Sequence, residues 1–187
     1  MRPSRLAAAI LAAAILAAAL PLATHAADCD AQLKKHLASD LALAFEAFDQ
    51  DDHQGWRPLA DAGCEAQAAT LIAAYAATQA HPHPVLAWHR AQMLAEADQT
   101  SEAIAAARAT LHPAGSDDAS GFDWNDYANA TIAFLQGDKP ALQANRDRLA
   151  EAVAKSEMNQ PNLRSADRLL RCFGQAYKIA YACPATP

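Results

Sequence analysis

The stretch PVLAWHRAQMLAEADQTSEAIAAARATLHP, residues 84–113, decides the fold class. Pro84 suits a helix start, because the first turn has no partner for the missing N–H. Val85, Trp88, Ala91 and Leu94 follow at intervals of three, laying an apolar stripe along a rod of 3.6 residues per turn. Asp98-Gln99-Thr100 interrupts the pattern. Ala103, Ile104, Ala107 and Leu111 resume it before Pro113 stops it. Two amphipathic helices joined by so short a turn lie side by side as a hairpin.

The same reading extends in both directions. Downstream, residues 112–122 form the longest connection, rich in Gly, Ser and Asp. Asp123 reads as an N-cap, with Asp126 favouring the positive end of a fifth helix that carries Trp124, Tyr127, Ala130, Ile132 and Phe134. Gly137 closes it. Asp138 and Pro140 open a sixth helix with Leu142, Leu149 and Val153 facing inward. A loop around Pro161 leads to a seventh bearing Leu163, Leu169, Leu170 and Phe173, which Gly174 ends. A short segment at 177–181 runs on to Cys183. Upstream, Leu33, Leu37, Leu41, Phe45 and Phe48 predict one first helix, closed by the acidic, Gly-containing run at 49–55. Pro58 starts a second helix with Ala68, Leu71, Ile72 and Tyr75 on its buried side, and His81-Pro82-His83-Pro84 breaks it. No segment alternates as a strand would, so the class is all-α.

The amino terminus reads as a secretory signal. Arg2 and Arg5 precede an apolar run over residues 6–22, Pro21 breaks it, and Thr24-His25-Ala26 places small residues for cleavage before Ala27. The expected division is a signal peptide at 1–26 and a single helical domain at 27–187. Cys29 does not read as a lipidation site, because the charged Asp28 precedes it. Loss of Arg2 and Arg5 leaves 13 Lys and Arg against 21 Asp and Glu, a net charge of −8. That balance argues against nucleic acid or an anionic membrane surface as partner. Forty of the remaining 161 residues are Ala, the best helix former.

Four cysteines, at 29, 64, 172 and 183, are expected to pair in an oxidising compartment, the periplasm or the exterior. Three pairings are possible; locality favours Cys29–Cys64 and Cys172–Cys183. None of these residues stands at the C-x₂₋₄-C spacing that zinc normally takes.

Aligned on Ala91 and Ala130, residues 84–113 and 123–152 resemble two degenerate tetratricopeptide units. Each has a small residue where the neighbouring helix packs, followed by a bulky one, Leu94 or Phe134, offset by one position. Gly137 stands at the inter-helix turn of the second unit, and Asp98 replaces it in the first. Ala103 fits the small position of the second helix, whereas Leu142 departs from it. The chain also resembles exported bacterial proteins that share Trp-x-x-Leu-Ala-x-x-Gly-Cys, here residues 56–64, and Trp-Asn-x-Tyr…Thr-Ile-Ala-Phe-Leu, here 124–135. The tetratricopeptide resemblance implies an α-α superhelix of stacked antiparallel hairpins, about seven helices in all, with a groove suited to a protein or peptide.

Chemistry-bearing motifs are sparse. His81, His83 and His89 fall within nine residues and are candidate metal ligands, against the plainer reading of a Pro-rich turn with exposed imidazoles. Asp49-x-Asp51-Asp52 starts like a calcium loop, but Gln54 and Ala60 stand where Gly and Glu are required, so it reads as a solvated turn. No nucleophile elbow, zinc-protease motif or phosphate loop occurs, and no cofactor is expected. The aromatics Trp56, Trp88, Trp124, Tyr75 and Tyr127 sit at apolar helical positions and read as core, with Trp88 and Tyr127 the alternative lining of a partner groove. The expected function is a monomeric, non-catalytic binding or scaffold module for a protein or peptide. The alternative is a small periplasmic hydrolase or metal-dependent enzyme using His81, His83 or His89.

Overall fold

The computed structural model describes residues 20–113 and 121–184, and every regular element among them is helical. In chain order these are α1 (Leu20–Ser39), a π turn (Glu46–Gln50), α2 (Arg57–Asp61), α3 (Glu65–Thr78), α4 (Val85–Glu96), α5 (Thr100–Arg108), α6 (Trp124–Leu135), α7 (Lys139–Lys155), a 3₁₀ turn (Glu157–Asn159), α8 (Gln160–Arg171) and α9 (Tyr177–Tyr181). The all-α expectation holds. Most of the signal peptide expected at 1–26, and residues 114–120 of the long connection, lie outside the described residues. No described helix is long and apolar enough to cross a membrane.

Consecutive helices pack as neighbours. α3, α4 and α5 touch in sequence, α6, α7 and α8 do the same, and α5 against α6 joins the two sets. α1 rests on α3, and α9 returns the C-terminus to α8 and α4. Alanines account for much of the close approach: Ala68, Ala91, Ala103, Ala107, Ala128 and Ala130 are buried. Trp88 meets Trp124 edge-on and tilts against Tyr127, both at 4.9 Å between ring centres, filling the seam between the two sets.

The two hairpin turns are built alike. After α4, Gln99 N–H donates to Leu94 C=O and Asp98 N–H to Ala95 C=O; after α6, Asp138 N–H donates to Ala133 C=O and Gly137 N–H to Phe134 C=O. Both are Schellman closures, which place one residue in the left-handed region. That residue is Gly137 at φ 72° and, 39 positions earlier, Asp98 at φ 58°. Asp tolerates this conformation better than most side chains, so the substitution leaves the turn type intact. Asp123 and Asp138 cap α6 and α7, accepting from Asp126 N–H at 3.0 Å and Ala141 N–H at 2.9 Å.

Four boundaries depart from expectation, the simplest being α5, which ends at Arg108, five residues short of Pro113. The first helix stops at Ser39 rather than Phe48, although its stripe continues. Beyond it, the Leu43 carbonyl accepts from the Tyr75 hydroxyl at 2.9 Å, and Phe48 stacks flat on the Tyr75 ring at 3.6 Å. Tertiary contacts bury these apolar residues without a helix. The second helix is two: Gly63, at φ 76°, closes α2 with Cys64 N–H on Leu59 C=O, and α3 starts anew at Glu65. Pro161 lies in the first turn of α8, not in a preceding loop, where its absent N–H is harmless.

The favoured cysteine pairing is the one present. Cys29–Cys64 joins α1 to the start of α3, and Cys172–Cys183 ties the end of α8 to the chain beyond α9.

Gly55 turns the chain from the π turn into α2 at φ 61°, and a Cβ there would lie 1.9 Å from the Phe48 carbonyl oxygen. Gly55→Ala is expected to lose about 1–2 kcal/mol from backbone conformation alone, with more from displacing that carbonyl. Urea unfolding of the two proteins measures it.

Candidate functional site

Asp49 ends up fully buried, against its reading as part of a solvated turn. Its neighbours behave as expected: Asp51 accepts from His53 N–H at 2.8 Å and from the Gln54 amide, and the Asp52 side chain is exposed. The π turn is what separates them, since it points Asp49 inward while the next residues turn out. One carboxylate oxygen of Asp49 accepts from Trp56 Nε1–H at 3.0 Å and meets His89 Nδ1 at 2.8 Å; the other accepts from the Gln50 amide. Arg57 closes the group, its Nε–H on the Asp49 carbonyl at 2.8 Å and its guanidinium 4.5 Å above the Trp56 ring.

The electrostatics follow from this geometry. Burial works to raise the Asp49 pKa, but the hydrogen bond and charge of His89, then Trp56 and Gln50, outweigh it and hold the carboxyl below 3.8. An ionised carboxylate only accepts, so His89 Nδ1 carries the hydrogen and Nε2 is the acceptor of the neutral ring. The pair spans 40 residues, which is why spacing along the chain could not reveal it.

His89 also borders a cleft of about 560 Å³ where α2, α4 and α9 meet. Gln92, Met93 and Glu96 extend its α4 wall by successive turns; Trp56, Arg57, Ala60 and Asp61 form a second wall, Lys178 and Tyr181 a third. Burial pushes the Glu96 carboxyl above 4.5, Lys178 draws it back in part, and Glu65 adds to the rise. Lys178 is itself ion-paired with Glu65 across from α3, and that hydrogen bond raises its pKa. Behind the cleft, Tyr127 and Tyr181 hydroxyls approach to 3.4 Å, and burial drives the Tyr127 phenol well above 10.

The expected site residues fare differently. Trp88 and Tyr127 are 4 % and 5 % exposed, so these rings fill the core and offer no open groove wall. His81 is exposed, and His83 stacks on Phe45 at 4.3 Å while its Nδ1 accepts from Val85 N–H. His89 alone of the three enters the cleft. Among the described residues no three His, Cys, Asp or Glu side chains converge as a metal site would require. The cysteines at 29, 64, 172 and 183 are all in disulfides. Gln92, Glu96 and Lys178 were missed by sequence reasoning, and Asp49 was read only as part of a solvated turn; the period-three spacing of His89 and Gln92, with Glu96 one turn on, was the available signal. In comparisons with protein-family models, curated proteins and solved structures, nothing matches the chain.

Proposed function

We propose that the chain is an exported binding module that takes a protein or peptide segment in the cleft between α2, α4 and α9. The observation that supports this is the cleft's lining: Gln92 and Lys178 supply donors, His89 Nε2, Glu96 and Asp61 acceptors, and Trp56 and Tyr181 flat apolar faces. A peptide needs that mixture, because its backbone amides lose water on binding and must find partners. The two disulfides accord with an oxidising compartment. Selection from a displayed peptide library tests the reading. Enriched peptides are expected to bind the wild type and to lose at least roughly tenfold on combining Gln92→Ala with Lys178→Ala, since two polar contacts of about 1 kcal/mol each are removed. No enrichment, or affinity indifferent to both substitutions, rejects it.

One observation favours hydrolysis as a second reading. Asp49 on Nδ1 fixes the His89 tautomer and leaves Nε2 as a general base, in the same cleft as a Glu96 carboxyl shifted toward its acid form. Screening ester, amide, glycoside and phosphoester substrates against wild type and His89→Gln separates the two readings. Turnover that His89→Gln lowers on the order of 10²–10⁴-fold supports catalysis.

A further inference from the structure

A second concavity lies elsewhere on α4 and shares no lining residue with the cleft. It consists of two open hollows, of about 320 and 490 Å³, which have Pro84, Ala87 and Ala109 in common and so form one trough. Ile72, Ala76, Leu86 and Ala106 line the first hollow, and Leu111 and Trp124 the second. The trough exists because alanines occupy the facing flanks of α3, α4 and α5, leaving space where longer side chains would close it. Arg90 borders the first hollow only, and it makes no hydrogen bond or ion pair with any described residue.

We propose that this trough binds a free fatty-acyl carboxylate, with the carboxylate on Arg90 and the alkyl chain running past Ala87 and Ala109 toward Trp124. Charge complementarity sets the head end: a guanidinium with no counter-ion among the described residues matches a carboxylate bidentately. The walls set the tail. They are almost wholly apolar, so they offer a peptide backbone few hydrogen-bond partners. A peptide laid here would strip its amides of water without replacing the bonds, whereas an alkyl chain has none to lose. The combined space falls in the range usual for small-molecule sites.

Calorimetry with decanoate, below its micelle concentration, tests this on the purified protein. Decanoate is expected to bind saturably at one site, roughly tenfold tighter than octanoate because two more methylenes are buried. Decanol is expected to bind at least roughly tenfold more weakly, for want of a charge-assisted bond. Arg90→Gln should bring decanoate to the decanol level and leave decanol unchanged, while Ala87→Trp, at an exposed position in the neck, should abolish both. Circular dichroism establishes that both variants stay folded. Equal affinity for acid and alcohol, an unaffected Arg90→Gln, or absence of saturation overturns the proposal. So does binding to anionic vesicles without binding of the monomeric acid, which marks a lipid surface as the ligand. Because the cleft contributes nothing here, either site can fail without the other.

Discussion

Replacing Asp49 by Ala is expected to cost about 3–5 kcal/mol, the range for removing one partner from a buried charged group. The loss is large because one oxygen serves two donors. Without it, Trp56 Nε1–H and His89 Nδ1–H are left facing apolar surroundings, and the π turn loses its tie to α4. For a chain of this size that corresponds to a fall in Tm of roughly 10 °C or more. Asp49→Asn, which keeps an acceptor but not the charge, should lose less, about 1–2 kcal/mol. The pH dependence follows from the depressed carboxyl: its stabilising contribution is complete above the unfolded value near 4 and disappears as pH falls through the lower folded value. The gap in stability between wild type and Asp49→Asn should therefore hold constant above about pH 5 and narrow below about pH 4. Thermal melts across that range check both magnitude and sign; a gap that widens on acidification contradicts the assignment. Loss of the pair should also weaken whatever the cleft binds, since the imidazole would no longer be held in one orientation.

Cys29→Ser with Cys64→Ser is expected to destabilise by about 4 kcal/mol, the chain-entropy value for a bridge across 35 residues. The bridge contributes so much because α1 has few other attachments: it rests mainly on α3, with the Gln67 amide on Asp30 at 2.9 Å as one of the polar links. Removing Cys172–Cys183, which spans 11 residues, should cost less, about 3 kcal/mol. Its functional effect should be the greater. α9 carries Lys178 and Tyr181 to the cleft, and the bridge lies just beyond it. Denaturant unfolding of each double variant, alongside peptide affinity, separates the two bridges. Equal effects on binding would show that α9 keeps its place through Tyr177 and Ala180 packing alone.

Much of the fold was legible from residue order. Helices α4, α5, α6 and α7 begin close to where Pro84, Asp98, Asp123 and Asp138 put them, and α4 and α6 end where Asp98 and Gly137 do, because capping and turn chemistry act within a few residues. The disulfide pairing was legible for a different reason: four cysteines allow three pairings, and the one present closes the two shortest loops, of 35 and 11 residues. Legibility failed between Ser39 and Glu65. The stripe of Leu41, Phe45 and Phe48 satisfies helical periodicity, yet Tyr75 takes the Leu43 carbonyl and stacks on Phe48. Local pattern cannot register a partner some thirty residues away.

The candidate site shows the same division more sharply. Composition and spacing established a helical chain with cysteines suited to two bridges and no recognisable catalytic motif. They could not place Asp49 on His89, nor bring Lys178 of α9 to the α4 wall, because both require the chain to have folded back on itself. Capping, periodicity and turns are short-range and written in neighbouring residues. A carboxylate's charge, a ring's tautomer and the walls of a cleft depend on which distant segments exclude water together, and that was decided by packing.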